Sequence, residues 1–156
     1  MDKITLSYIA GFMDGEGCIT LNRTYRKDAR NKKAYFRDEY LGAVQIGMAD
    51  IPIQREILKM LKEHYGGYYA EFAPRPSAGK NSKPTIFWRI LSQKAARFCE
   101  DILPYLRVKK RQAEIVIEMA KSTRSNRGKK KLPDQKVLLL RKRLLEEVRI
   151  LNKRGL

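Results

Sequence analysis

The chain has 156 residues, and its 34 Lys and Arg residues outnumber its 17 Asp and Glu residues, which gives a formal net charge of +17. Such an excess repels itself within one compact domain unless a polyanion binds it, so nucleic acid is the leading candidate partner. A hydrophobic fraction of 43% argues against disorder. The longest aliphatic run, 137–140, is far too short to span a membrane, and no convincing basic amphipathic helix indicates binding to a membrane surface.

The N-terminal segment 9–17, IAGFMDGEG, combines two features that rarely coincide. It predicts a helix that ends at glycines and has a face of small residues, which lets two backbones approach closely. Two carboxylates, Asp14 and Glu16, stand at the C-terminal end of this helix, where negative charge opposes the helix dipole. A metal or a cationic partner explains an acidic pair there better than helix stability does. The small residues are Ala10, Gly11 and Gly15.

Downstream, the pattern predicts two β-hairpins, each followed by a helix, in an α-β-β-α-β-β-α order with more helix at the end. In the first strand Ile19 and Leu21 alternate with Thr20 and Asn22, which is typical of a strand with one buried and one polar face. Trp88 lies on the apolar side of a later strand and is predicted to pack in the core. The predicted elements are strands at 18–24 and about 36–47, a helix from 52 to the glycines at 66–67, strands at 68–72 and 85–91, and helices at 92–103, 109–121 and 133–152.

These elements predict an α+β fold with one four-stranded antiparallel sheet, helices on one face and the other face open to a ligand. Residues 1–123 are the predicted core, 124–133 a basic linker and 134–156 a C-terminal helix that packs on the core. The open face suits duplex DNA, because Arg, Gln and Asn can read base edges while loop lysines contact phosphates; an ordinary solvated face is the alternative. The candidate DNA-binding residues are Thr20, Asn22, Tyr25, Arg26, Lys27, Arg30, Lys32, Lys33, Arg37, Glu39, Gln45, Arg75, Lys80, Lys83 and Arg89.

The rarer side chains add little chemistry of their own. Cys18 and Cys99 have no short spacing between them, so they predict neither a zinc knuckle nor a disulfide framework. The single histidine, His64, is more consistent with a residue that caps a helix end than with a general base. The N-terminus shows no secretory signal and no transit segment, so we expect the protein in an encoding organelle (mitochondrion or chloroplast) or in a prokaryotic cytoplasm.

Two segments together resemble a known family. Residues 9–17 are similar to the signature of the LAGLIDADG homing endonucleases, and residues 103–113, LPYLRVKKRQA, resemble the segment that brings a lysine to that family's active site. The predicted order of elements resembles the family's core over most of the chain. Because the signature occurs once, the chain resembles the homodimeric, single-motif members. The resemblance implies an αββαββα core with a saddle-shaped sheet, in an intron-encoded nuclease that cleaves long, near-palindromic double-stranded DNA.

The resemblance also implies roles for individual residues. Glu16 would be the catalytic, metal-binding acid, and the carbonyl of Gly15 would bind the same metal, which would be Mg²⁺, with Mn²⁺ or Ca²⁺ able to replace it. Lys109 would lie near the scissile phosphate, with Arg55 as a second basic residue, and Asp14 would be a structural acid at the helix end. In the homodimer the helix would pack against its twin through Ile9, Ala10, Gly11, Met13 and Asp14.

Elementary chemistry agrees with this interpretation. Hydrolysis of a phosphodiester needs an activated water and charge neutralisation at the phosphate, which a divalent metal on hard oxygen ligands supplies. One Glu in each chain cannot hold a full site, but a two-fold axis brings a second.

The chain departs from the family's sequence pattern at two places, and two alternative functions stay open. The last acid of the signature is Glu where the family more commonly has Asp, and positions 47–50 lack the polar residue, often Gln, that organises active-site water, so Asp50 or solvent would have to substitute. The first alternative is a non-catalytic nucleic-acid-binding protein of the same fold, such as an intron maturase with an RNA partner or a regulator. The second is a structural RNA-binding protein, which the composition permits but which leaves the two acids unexplained.

Overall fold

The structure is a computed structural model that describes residues 1–27, 36–74, 82–124 and 134–153, without the side chains of 25–27, 36–39 and 124. No helix among these residues is long and apolar enough to cross a membrane. In chain order the elements are α1 (Lys3–Glu16), β1 (Gly17–Lys27), β2 (Phe36–Ala49), α2 (Pro52–Tyr65), β3 (Tyr68–Phe72), β4 (Thr85–Leu91), α3 (Ser92–Ile102), α4 (Lys110–Arg124) and α5 (Gln135–Leu151).

The four strands form one antiparallel sheet in the order β1-β2-β4-β3. Across it, Gly17 pairs with Ile46, Ile46 with Trp88, and Trp88 with Tyr69. Because successive side chains of a strand point to opposite faces, this register places Ile46 and Trp88 on one face, where the helices pack. The predicted α+β fold class, with four antiparallel strands and helices on one face, is confirmed.

The core lies between the sheet and the helices. In β4 the buried residues Ile86, Trp88 and Ile90 alternate with more exposed neighbours, so the strand buries one face only. Trp88 is fully buried, as predicted: its Nε1 donates to the carbonyl of Gly66 at 2.9 Å, and its ring meets the edge of Phe98 at a centroid distance of 5.4 Å. The indole therefore loses no hydrogen bond on burial.

The C-terminal helix α5 is part of this packed layer. Its residue Arg141 is 6% exposed, and the guanidinium group donates to the carbonyl of Ser122 at 2.7 Å, near the end of α4. At its own end, the Nδ2 of Asn152 donates to the carbonyl of Ile19 in the edge strand β1 at 3.0 Å. Apart from the backbone of residue 124, the predicted linker 124–133 lies outside the described residues. The apolar residues that α5 buries in the core are Leu144, Leu145 and Val148.

Two glycines end α2 and start the turn into β3. Gly66 and Gly67 have φ angles of +72° and +93°, which side chains rarely adopt. A Cβ on Gly67 would lie 2.4 Å from the carbonyl oxygen of Arg89, whereas a Cβ on Gly66 would meet only the flexible end of Lys94, at 2.8 Å. Gly67 is therefore required both for its backbone conformation and for a close approach of two backbones.

The substitution Gly67→Ala should destabilise the fold more than Gly66→Ala does. Both variants should lose about 1–3 kcal/mol from backbone strain. Overlap with the backbone of β4 should add about 1–3 kcal/mol for Gly67→Ala alone. Urea unfolding of the two variants and the wild type measures the difference, and equal losses would contradict the close approach at Gly67.

Candidate active site and open sheet face

Glu16 ends α1 with a free carboxylate. Its side chain is exposed and makes no hydrogen bond or ion pair with any other residue that the structure describes. A negative charge at a helix C-terminus opposes the helix dipole, so an isolated acid there is destabilising unless a cation binds it. Within the described ranges, no three His, Cys, Asp or Glu side chains gather into a metal centre. One chain therefore brings a single free acid to this position.

Asp14 holds a distant segment of the chain against the same helix end. Its Oδ2 accepts a hydrogen bond from the backbone N–H of Arg107 at 2.7 Å, and its Oδ1 accepts one from the N–H of Lys109 at 2.9 Å. Partial burial opposes ionisation, but these N–H groups and the charge of Lys109 outweigh it and lower the pKa of Asp14. Asp14 is thus a structural acid within its own chain, and its carboxylate is not free for a second subunit.

The side chain of Lys109 returns to α1. Its Nζ donates to the carbonyl of Met13 at 2.9 Å and also to the carbonyl of Asp14. A cation is stabilised there because the last carbonyls of a helix lack intrahelical partners and carry partial negative charge. Lys109 is thus placed at the same helix end as Gly15 and Glu16, without an ion pair to Glu16.

Arg55, predicted as a second basic residue of the site, is bound elsewhere. Its Nε donates to Asp50 Oδ1 at 2.8 Å, its second nitrogen contacts the other oxygen of Asp50, and it lies 4.0 Å from Glu71. The hydrogen bond from Arg55 lowers the pKa of Asp50. No polar contact between described residues joins Arg55 to Glu16 or Lys109. Both oxygens of Asp50 are occupied as well, so it does not stand free to organise water.

The small residues of α1 lie on two different faces. Ile9, Ala10 and Met13 are fully buried against the chain's own core, whereas the prediction places them at a contact with a second subunit. The physical reason is that α1 must bury one face on its own sheet, and Ile9, Ala10 and Met13 lie at the helical spacing that forms such a face. Gly11 and Gly15 lie on the outer face, where a Cβ on either would meet nothing within 4 Å.

The outer face of α1 is also apolar at its start. Ile4 is 84% exposed and Tyr8 is 56% exposed, and both lie on the same side as Gly11. Gly17 differs from the two outer glycines, since a Cβ there would lie 2.3 Å from the Cε of the buried Met13. Among the described residues, the absence of side chains at Gly11 and Gly15 therefore serves no contact.

Four polar residues predicted to bind DNA share the open face of the sheet. The register pairs Gln45 with Arg89 on β4, and it places Thr20 and Asn22 on the same face as both. All four side chains are half-buried. The Nε of Arg89 is buried and has no hydrogen-bond partner among the described atoms. An unsatisfied buried N–H costs free energy, unless a bound ligand changes the position of the guanidinium group.

The other predicted DNA-binding residues are placed less completely. Lys83 is described and lies exposed just before β4. For one group only the backbone in β1 or β2 is described, and the side chains lie outside the described residues: Tyr25, Arg26, Lys27, Arg37 and Glu39. A second group lies wholly outside the described residues: Arg30, Lys32, Lys33, Arg75 and Lys80.

Sequence reasoning missed an aromatic part of the open face. Tyr68 pairs with Arg89, and Phe72 pairs with Thr85, so both lie on the side opposite Trp88, as does Phe87. The signal was present in the sequence: once Trp88 is placed in the core, alternation in β4 assigns Phe87 to the open face.

Comparison with known proteins identifies the fold. Neither protein-family models nor curated proteins match the chain. The homing endonuclease I-CvuI, in complex with the I-CreI target in the presence of 2 mM Mg, is 21% identical with a TM-score of 0.69, over 99% of this chain and 85% of that chain. The archaeal intron-encoded homing endonuclease I-Vdi141I, complexed with DNA, is 20% identical with a TM-score of 0.68, over 100% of this chain and 89% of that chain.

A further match carries the name of the family that the sequence resembles. The LAGLIDADG homing endonuclease I-GzeII, in complex with a DNA target, is 16% identical with a TM-score of 0.56, over 97% of this chain and 45% of that chain. The protein therefore has the fold of the LAGLIDADG homing endonucleases, as segments 9–17 and 103–113 indicate. At these identities the likeness is one of fold.

The substitution Asp14→Asn should release the segment that carries Lys109. An amide can accept only one of the two N–H groups, and its NH₂ group would face the other, so we expect a loss of about 1–3 kcal/mol in the free energy of unfolding. Hydrogen exchange at the amides of Arg107 and Lys109 should speed up. The control is Asp134→Asn, because the side chain of Asp134 makes no capping hydrogen bond. Unchanged exchange at both amides would contradict the arrangement.

Proposed function

We propose that the protein is a site-specific homing endonuclease that binds a long, near-palindromic double-stranded DNA site as a homodimer and hydrolyses one phosphodiester in each strand. The observation that carries this proposal is the end of α1, which carries the free carboxylate of Glu16 and binds the cation of Lys109 through the carbonyls of Met13 and Asp14. The fold supports it, since I-CvuI, I-Vdi141I and I-GzeII are homing endonucleases in complex with DNA.

The outer face of α1 supports the homodimer. Gly11 and Gly15 leave bare backbone on a face that also exposes Ile4 and Tyr8, and such a face suits close packing against another helix. A two-fold axis through this contact would bring two copies of Glu16 near each other. The coverage is consistent with this, because the chain spans less than half of I-GzeII but most of I-CvuI.

The oxygen atoms at the helix end fit a hard divalent cation. Glu16 offers a free carboxylate and Gly15 a carbonyl at the negative end of a helix, which are donors that Mg²⁺ prefers and that Mn²⁺ or Ca²⁺ can also use. One carboxylate is too few for a full site, so the second subunit would complete it. When bound, the metal supplies positive charge at the phosphate and activation of a water. Related structures were obtained in the presence of 2 mM Ca and 2 mM Mg.

The chain's own residues then have distinct tasks. Lys109 would stabilise the negative charge that develops on the phosphate. Asp14 keeps Lys109 at the helix end without contacting the phosphate itself. The open face, with Gln45 and Arg89, would hold the duplex so that the phosphate reaches Glu16.

One set of observations favours a second candidate, a protein of the same fold that binds nucleic acid without cutting it, such as an intron maturase that binds RNA or a regulator. Arg55 occupies both oxygens of Asp50, and positions 47–49 are Gly, Met and Ala, so this part of the chain offers no free polar group to organise water. In the I-CvuI complex with the I-CreI target in 2 mM Mg, the DNA is not cleaved.

The substitution Glu16→Gln should abolish cleavage while DNA binding persists. Purified protein is incubated with duplex DNA from the genes that flank its own coding sequence, with Mg²⁺ and with EDTA. We expect specific double-strand cleavage by the wild type in Mg²⁺ and a loss of about 100-fold or more in Glu16→Gln. Glu63→Gln, at an exposed position of α2, is the control and should cleave normally. Cleavage that survives Glu16→Gln would overturn the assignment of the acid, and specific binding without cleavage by the wild type would favour the second candidate.

The substitution Gly11→Leu should convert the dimer to monomers. The monomer has free space at this position, so its thermal midpoint should stay the same or rise with the better helix propensity of Leu. Two large side chains at a close helix contact should separate the subunits, which sedimentation velocity at micromolar concentration measures. Glu63→Leu controls for added exposed apolar surface. A wild-type protein that sediments as a monomer, or a Gly11→Leu variant that remains dimeric, would contradict the proposed interface.

A further inference from the structure

Three aromatic side chains form an apolar patch at one end of the open face. This aromatic patch consists of Tyr68 and Phe72 on the edge strand β3 and Phe87 on β4. Tyr68 is 58% exposed and Phe72 is 48% exposed, and the rings of Tyr68 and Phe87 lie 6.5 Å apart at an angle of 60°. Exposed aromatic residues on an edge strand invite association with other chains, so a binding role accounts for them better than chance exposure does.

The patch does not belong to the core. The helix side of the same strands is filled by other residues, among them Trp88 and the partly buried Tyr69. On the open side, the patch lies over backbone with little side chain: a Cβ on Gly47 would lie 3.3 Å from the ring of Phe87, and Ala70 is paired with Phe87. This part of the face therefore offers flat apolar surface and, apart from the hydroxyls of Tyr68 and Thr85, few hydrogen-bonding groups.

The other end of the open face has different chemistry. A row of paired residues crosses the sheet from Cys18 on β1 through Gln45 and Arg89 to Tyr68 on β3, and Cys18 lies two residues after Glu16. From this row toward the tip of the β1–β2 hairpin, the face presents Thr20 and Asn22, which can donate and accept hydrogen bonds. In the opposite direction it presents Phe87 and Phe72, which form the aromatic patch together with Tyr68 at the end of the row. The two ends of the open face can therefore recognise different features of one ligand.

We propose that the aromatic patch recognises the C5-methyl groups of thymine in the major groove, so that the bases it contacts are fixed as thymine. This inference rests on the proposed binding of duplex DNA. The thymine methyl is the one apolar group that base edges present in the major groove, and Phe is among the side chains suited to it. The cations of Arg89 and Lys83 flank the patch and suit the phosphates beside such a contact.

The expected change in the dissociation constant follows from the free energy of burying one methyl group. Burying one methyl group contributes about 0.8 kcal/mol, which corresponds to about a fourfold change in the dissociation constant. Removal of one contacted methyl should therefore weaken binding about fourfold, and removal of two should weaken it about 16-fold if the positions are independent.

The test uses a duplex selected by the intact protein from a random library. In the selected duplex, each thymine is replaced in turn by deoxyuridine, which lacks only the methyl group, and dissociation constants are measured by fluorescence anisotropy at fixed salt. We expect the wild type to lose about fourfold at specific thymines. Phe72→Ala should bind the thymine duplex more weakly and should no longer respond to deoxyuridine at the positions that Phe72 contacts.

The matched control is Ile53→Ala, which removes an apolar side chain at a position that is 57% exposed, against 48% for Phe72, from α2 rather than from the sheet. This variant should keep the full response to deoxyuridine. Because Phe72 and Ile53 are both exposed, neither truncation should change the urea midpoint. A selected duplex whose affinity is unchanged by every deoxyuridine replacement, or an unaltered response in Phe72→Ala, would overturn the inference while leaving DNA binding in place. Failure to select any duplex would overturn the proposed function together with this inference.

Discussion

The carboxylate of Asp14 holds the end of α1 against a distant part of the chain, because its two partners, Arg107 and Lys109, lie 93 and 95 residues further along the sequence. Because it accepts two backbone N–H groups, it sets the path of segment 107–109 past the end of α1. Lys109 then reaches back to the carbonyls of the same helix. The free acid of Glu16 and a positive charge are thereby brought to the same helix end, where Lys109 binds backbone carbonyls and the carboxylate of Glu16 has no partner among the described residues.

The glycines of segment 9–17 serve three different physical purposes. Gly17 leaves room for the buried Met13, so it is required by the fold of one chain. Gly11 and Gly15 have open space around them among the described residues, and in the proposed homodimer their small size would allow the close contact of two helices. Gly15 in addition contributes a carbonyl beside Glu16. A single short segment therefore carries a packing constraint and, in the proposed homodimer and metal site, would also carry constraints from association and from chemistry.

Local patterns predicted most of the fold. The strands at 68–72 and 85–91 match the observed β3 and β4, because alternation around a large buried residue such as Trp88 is a strong signal. The side of α1 that faces the core was predicted less well, since small residues at helical spacing do not reveal which face is buried. Ile9 and Ala10 turned out to pack inside.

The site was predictable only in part. The signature segment and the lysine segment indicated Glu16 and Lys109, but the contacts that join the two segments involve backbone groups, which no sequence pattern specifies. Arg55 was indicated by the resemblance to the family, whereas in the structure its Nε and one terminal nitrogen bind Asp50, five positions earlier. Only the three-dimensional structure shows whether Arg55 forms a local ion pair or reaches a more distant site.

Two-fold symmetry would connect the chemistry of α1 with that of the open face. In a dimer formed through the outer face of α1, both subunits present the open face of the sheet to the DNA. The two-fold axis relates the polar end and the aromatic patch of one subunit to those of the other by a rotation of 180°. Base preferences set by Thr20 and Asn22, and thymines set by Phe72, would then recur at equal distances on both sides of the centre. The inverted repeat of the target would follow from the bare glycines of one helix, because they allow the contact that creates the axis.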